Sequence, residues 1–187
     1  MALLSGLSVK VEKFEGDDCG YPGHMEDESY RLVVPRGGAG NASVQSRTVW
    51  GALRGLETFS QLVHYADYYG TYVINRTEIF DHPKYEFRSV MLDSSKHFLP
   101  VHVIKQNLDA MAYNKFNVFH WHLVDDESWP LELSTYPNLT KAAYGSRFVY
   151  KKEDVGDIVE HAKLRGIRVI PEICTPGHSK ALGKAFP

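Results

Sequence analysis

Apolar and polar residues alternate with a period of two in SGLSVKVEKF, SYRLVVP and ASVQSRTVW, which predicts strands. The intervening EGDDCGYPGHMEDE and RGGAGN carry the Gly, Asp and Pro of loops. GALRGLETFSQLVHYA then changes the period: Leu53, Leu56, Phe59 or Ser60, and Val63 recur at helical spacing and are expected to face a core. Two short runs, TYVI and RTEIF, complete what reads as an antiparallel sheet with one covering helix, an α+β unit. Asp81-His82-Pro83 marks its limit, giving expected domains 1–83 and 84–187.

Beyond that limit the pattern becomes β-α-β-α-β. FRSVMLD is a strand; Pro100 is expected to open a helix that buries Ile104, Leu108, Met111 and Ala112. NVFHWHLV is the next strand, and a long segment from about Asp125 to Tyr150 leads to a helix with Val155, Ile158, Val159 and Ala162 inward. Gly166 should close that helix as a left-handed cap, before the strand IRVIPEI. Such repeats belong to a doubly wound sheet or to a (β/α)₈ barrel. No Gly-rich phosphate loop follows any of these strands, which disfavours nucleotide binding. Each strand runs into polar groups, Asp93 to His97, Asp125-Asp126 and Glu172 to His178, where α/β folds keep their chemistry.

Composition narrows the partners more than the fold. Among 187 residues, 43% are apolar, enough for a packed core, and the formal net charge is −2. No Lys/Arg run points to nucleic acid or an anionic membrane surface, and no apolar run is long enough to span a bilayer. The opening MALLSGLSVKVEKF lacks a signal-peptide pattern, whereas the sequons at Asn41, Asn75 and Asn138 favour secretory routing. Together these features lead to the expectation that the chain starts downstream of its natural beginning. Cys19 and Cys174 are expected to remain unbridged to one another.

GALRGLETFSQLV, INRTEIFDHP, MLDSSKHFLP, MAYNKFNVFHWHLVDDESWP and LRGIRVIPEICTPGH resemble, in order, the β-N-acetylhexosaminidases of glycoside hydrolase family 20, the lysosomal animal forms above all. The resemblance covers about Val44 to His178. It implies a small α+β domain followed by a TIM barrel, here the first three βα units of a (β/α)₈ fold. It also implies release of terminal N-acetylglucosamine or N-acetylgalactosamine from glycoconjugates, with no cofactor and no metal. In that family the substrate's own 2-acetamido oxygen attacks the anomeric carbon, assisted by an Asp-Glu pair in a Gly-Gly-Asp-Glu context. That tetrapeptide does not occur in these 187 residues, so the chain by itself is expected to be inactive. An isolated three-stranded part with an open sheet edge is expected to fold poorly or to need a partner.

The resemblance assigns Asp125 and His178 to a hydrogen-bonded chain that supports the catalytic Glu, and places Lys96 in the substrate site. Two departures accompany it. Lys96 stands where the family has an Arg whose fork grips two hydroxyls, and Cys174 stands where it commonly has Asp. The resemblance further implies lysosomal or secreted localisation, a family that is often dimeric, and pairing of Cys19 with a cysteine upstream of Met1. Two rival readings stay open: a non-catalytic remnant, suggested by Lys96 and Cys174, and a metal-dependent hydrolase. The second rests on His120 and His122, two apart on one strand face, with Asp125, Glu172 and His178 as further ligands.

Overall fold

A computed structural model describes residues 4–12, 20–36 and 40–186. Cys19 lies outside them, as do residues 13–14 of the first expected strand and residues 15–18 and 37–39 of the expected loops. The chain divides into two compact units, Met1–Glu86 and Phe87–Pro187.

The first unit contains a four-stranded sheet in the order β1-β3-β2-β6, built from Leu7–Val11, Tyr30–Val34, Ala42–Ser46 and Thr77–Asp81 (β1, β2, β3 and β6). β2 runs antiparallel to β3 and β6, but β1 pairs parallel with β3. The sheet is therefore mixed, not purely antiparallel. Alternation along one strand is the same in either pairing, so the direction of β1 left no trace in its sequence. Tyr30, Leu32 and Val34 on β2 and Ala42 and Val44 on β3 point into the core, as their period of two requires.

Helix α1, Val49–Leu62, covers this sheet. Thr48 caps it by accepting the Gly51 N–H through its hydroxyl at 3.1 Å. Its buried residues are Trp50, Gly51, Ala52, Arg54 and Gly55, with Phe59 and Leu62 packed on the core beyond them. Leu53, Leu56 and Val63, expected inside, are only half-buried. Glycine accounts for the difference. A Cβ on Gly51 would lie 2.3 Å from the Ser29 carbonyl oxygen, and one on Gly55 would lie 2.6 Å from Val44 Cγ1. At these two positions the helix sits so close to its neighbours that only glycine fits, and glycine adds nothing to a hydrophobicity pattern. It also ends earlier than expected. Val63 is extended, and His64–Ala66 (β4) pairs with Thr71–Val73 (β5) in a hairpin turned at Gly70, whose φ is 62°. Inside the unit, Arg54 Nε donates to Glu28 Oε1 at 2.6 Å, and both side chains are buried.

The second unit is a parallel sheet of Ser89–Asp93, Val118–His122 and Arg168–Glu172 (β7, β8 and β9), in sequential order. Helices α2 (Val101–Tyr113) and α3 (Lys152–Lys163) link successive strands. α2 buries Ile104, Leu108 and Met111, while Pro100 takes the cap position just before its first turn. α3 buries Ile158 and Ala162. Gly166 follows with a left-handed φ of 64°, a conformation that L side chains rarely adopt. Phe119 and Trp121 of β8 join these helices in one core. His120 and His122 alternate with them and therefore point to the opposite face of the sheet.

The segment between β8 and α3 is folded back on itself. It includes a 3₁₀ turn at Pro137–Ala142, and Trp129, Leu131, Leu139 and Ala142 are buried. Tyr150 closes it, stacked on Phe98 at 4.6 Å and edge-on to Trp121 at 5.1 Å. Its hydroxyl donates to the Leu99 carbonyl at 2.6 Å. A last short helix, α4, Lys180–Ala185, lies beyond the resemblance and outside the sequence expectation.

Candidate active site

Parallel pairing sets Asp93, His122 and Glu172 in register across β7, β8 and β9, so their side chains leave the same face at the strand ends. The carboxyl-end loops add Lys96, Asp125, Cys174 and His178.

Asp125 is the hub, only 2% exposed. Its Oδ2 accepts from Lys96 Nζ and from His122 Nε2, the latter at 3.0 Å. Its Oδ1 accepts from His178 Nδ1 at 3.0 Å and from the Asp126 N–H at 2.7 Å. Burial alone would push this carboxyl up; the hydrogen bonds from Lys96, the Asp126 N–H, His122 and His178 overcome that and hold it far below the carboxylate range. The Lys96 ammonium is raised in turn, by Asp125 first and then by Asp93, to which it donates at 2.7 Å. Asp93 Oδ1 also accepts the N–H groups of Ser95 and Lys96 at 2.9 and 3.1 Å, which folds the loop and aims the lysine.

His122 lies between two carboxylates. Nε2 faces Asp125, and Nδ1 lies 3.2 Å from Glu172 Oε2. Burial works against its charge, yet the bonds to Asp125 and Glu172 and the field of Asp93 raise its pKa above the ordinary value. An imidazolium donates from both nitrogens and so satisfies both neighbours. Glu172 also accepts from His120 Nε2 at 2.5 Å and from the Cys174 thiol at 2.9 Å. The Cys174 and His122 bonds lead in lowering its pKa to about 2. The same bond to Glu172, with burial, pushes the Cys174 thiol up to about 11.

Lys96, Asp125 and His178 thus meet around one carboxylate. His120, His122 and Glu172 meet on the neighbouring side, while His178 bonds to Asp125 and sets its ring edge-on to His122 at 6.4 Å. The adjacent carboxylates Asp125 and Asp126 have separate tasks. Asp126 Oδ1 accepts the Lys180 N–H at 2.9 Å, tying the first turn of α4 to the β8 loop. The metal-dependent reading of the sequence groups His122 and Glu172 with Asp125; it leaves out Asp93 and Cys174, which the structure adds to the same network. The available signal was their common alternation at three strand ends, which becomes informative only with the register. Asn41, Asn75 and Asn138 are all exposed. No described helix is long and apolar enough to cross a membrane.

Comparison with known proteins places this arrangement. Residues 85–187 match the model of the glycosyl hydrolase family 20 catalytic domain, and residues 4–62 match a beta-acetyl hexosaminidase like domain. The chain is 51% identical to the mouse beta-hexosaminidase subunit beta over 97% of its own length and 33% of that protein. It is 53% identical to the bovine beta-hexosaminidase subunit alpha over 89% of its length and 31% of that protein. It thus spans about a third of the curated relatives it matches. Among solved structures, the Flavobacterium johnsoniae chitobiase superposes with a TM-score of 0.83 at 42% identity, covering 90% of this chain and 25% of that one. The three βα units are accordingly a portion of the barrel fold of these enzymes. With the catalytic-domain model matched from Tyr85 onward and the strand-end network in place, the chain belongs to glycosyl hydrolase family 20.

Proposed function

We propose that this chain carries part of the active site of a β-N-acetylhexosaminidase, which hydrolyses terminal N-acetylglucosamine or N-acetylgalactosamine from glycoconjugates. Configuration at the anomeric carbon is retained because the substrate's acetamido oxygen, not a protein carboxylate, makes the first attack. The observation that carries this reading is the bond from His178 Nδ1 to buried Asp125. With Nδ1–H fixed on a carboxylate, neutral His178 presents Nε2 as an acceptor, and its side chain is 62% exposed. Such a nitrogen can receive the proton of a neighbouring acid and set its orientation and basicity. Lys96 has three N–H groups, of which Asp93 and Asp125 hold two. The third is left for one sugar hydroxyl, a single contact where an arginine fork makes two.

The reading extends to context. The relatives are named as subunits, and we take the parent assembly to be oligomeric, with the exposed sequons glycosylated on a lysosomal or secretory route. The substrate is a glycoconjugate, and neither a nucleic acid nor a membrane is the partner.

A second reading, a sugar-binding protein without turnover, is favoured by the engagement of Lys96 with two carboxylates. A chimera separates the two. Residues 1–187 would replace the matching third of the mouse beta subunit, and a fluorogenic N-acetylglucosaminide would report turnover. The hydrolase reading expects activity from the chimera and none from the 187-residue chain alone. A folded chimera that binds N-acetylglucosamine but does not turn over supports the second reading and overturns the first.

A further inference from the structure

We propose that His122, Glu172 and Cys174 form a binding site for one thiophilic divalent cation of the zinc class. A ring nitrogen of His122, a carboxylate oxygen of Glu172 and Cys174 Sγ come within 4.8 Å of one another, the spacing of donors able to converge on a single ion. His122 and Glu172 end neighbouring parallel strands whose register sets them side by side, and Cys174, in the loop two residues beyond β9, donates its thiol to Glu172 at 2.9 Å. Two of the three donors are therefore held by strand ends.

The surroundings of His122 independently favour metal ligation. Its Nε2 is anchored at 3.0 Å on buried Asp125, which leaves Nδ1 directed at Glu172. A ligating histidine normally donates its other ring N–H to a carboxylate, which fixes tautomer and ring plane. That outer partner is already built here. His120, 2.5 Å from Glu172 Oε2, supplies a comparable hydrogen bond to the carboxylate ligand. The thiol selects the metal class, since imidazole, carboxylate and thiolate together suit zinc rather than magnesium or calcium.

Two other groupings, Asp93 with His122 and Asp125, and Asp125 with Asp126 and His178, lack a thiol. Both depend on Asp125, which is already bonded to the Lys96 ammonium. A cation there would have to displace that lysine. At the Cys174 site no lysine is bonded to the three donors among the described residues, and His120 reaches only the carboxylate. Binding releases the Cys174 thiol proton to solvent, together with any proton on His122 Nδ1, because metal ligands bind deprotonated. The site stands on these side chains alone and does not depend on the hydrolase reading.

Cobalt(II) titration of the reduced 187-residue chain tests the proposal. One equivalent should give thiolate-to-cobalt charge-transfer absorption with tetrahedral d–d bands, both abolished by zinc. The Cys19→Ser variant should keep these bands, and Cys174→Ser should lose them while circular dichroism stays unchanged. In the unsubstituted chain, one equivalent of zinc should slow iodoacetamide alkylation of Cys174 roughly tenfold or more, since a metal-bound thiolate is withdrawn from attack. Alkylation of Cys19 should be unaffected. That measurement decides the matter without a variant, should Cys174→Ser fail to fold. Absence of the charge-transfer band, its survival in Cys174→Ser, or unprotected Cys174 overturns the site.

Discussion

Replacing Asp125 by Asn keeps the shape of the hub and removes its charge. An amide has one acceptor oxygen, whereas the four donors around Asp125 are shared between two. If the amide nitrogen took the Oδ2 position it would meet Lys96, a cation with no acceptor. At the Oδ1 position it meets His178 and the Asp126 N–H instead. Each position thus faces one histidine and one donor that cannot become an acceptor, and the Lys96 charge decides. The oxygen stays at Oδ2, the nitrogen turns to the Oδ1 side, and His178 adapts by exchanging tautomers. Nδ1 then becomes the acceptor and Nε2 carries the proton, which removes the lone pair that the proposed mechanism uses.

The energetic cost follows from the same contacts. Removing one partner of a buried ion pair typically destabilises by about 3–5 kcal/mol. Lys96 is 46% exposed and recovers hydration, so the lower end, about 3 kcal/mol, applies. With a urea slope of about 2 kcal/mol per molar, the midpoint should fall by about 1.5 M. Long-range ¹H–¹⁵N correlation spectra at mildly alkaline pH report the tautomer directly. The unsubstituted chain should show His178 protonated at Nδ1, and Asp125→Asn should show it protonated at Nε2. An unchanged tautomer together with an unchanged urea midpoint would refute the argument.

Further outcomes follow from other parts of the molecule. The lowered Glu172 carboxyl contributes stability that is complete above the ordinary carboxylate range and is lost as pH falls toward about 2. His122, raised above its usual value, contributes stability that is complete at pH below that value and is lost as pH rises through its folded pKa. The urea midpoint should therefore decline on both sides of a mildly acidic plateau; a monotonic profile would contradict the paired charges. Glu28→Gln should cost about 3–5 kcal/mol by leaving Arg54 buried opposite a neutral amide, as read by denaturant unfolding. Gly51→Ala should destabilise by about 1–3 kcal/mol, despite alanine's better helix propensity, because the new methyl meets a backbone oxygen. A neutral or stabilising result there would mean that α1 can lift from the sheet at little cost.

Legibility varied with the kind of information each element needed. α2 and α3 were readable because Ile104, Leu108, Ile158 and Ala162 are large or closely spaced apolar residues on one helical face. The inward side of α1 was misread because its closest contacts are made by Gly51 and Gly55, which carry no hydrophobic signal. Strand positions in the first sheet were visible, whereas the parallel pairing of β1 with β3 is a non-local choice that alternation does not encode. At the candidate site, the strand-end pattern marked the segments that carry Asp125, His178 and Lys96, and the resemblance gave these residues their roles. The resemblance, not spacing, drew the first two together. The metal-dependent reading groups Glu172 with His122, but the hydrogen bonds that join them and bring in Cys174 depend on the register of two strands about fifty residues apart. The separate tasks of Asp125 and Asp126 depend on α4, whose short length gives almost no periodicity to read.

Tyr150 has a consequence for how this scaffold tolerates change. Its N–H donates to the Pro130 carbonyl at 2.7 Å, and its own carbonyl accepts the Glu132 N–H at 3.0 Å. These bonds clasp the two ends of the intervening excursion, so extra residues at its exposed tip near Thr135 would lengthen a closed loop without pulling on the strand end that carries Asp125. That makes the tip a natural place for lineages to diversify, or for an epitope or reporter to be grafted, while the chemistry beneath keeps its alignment.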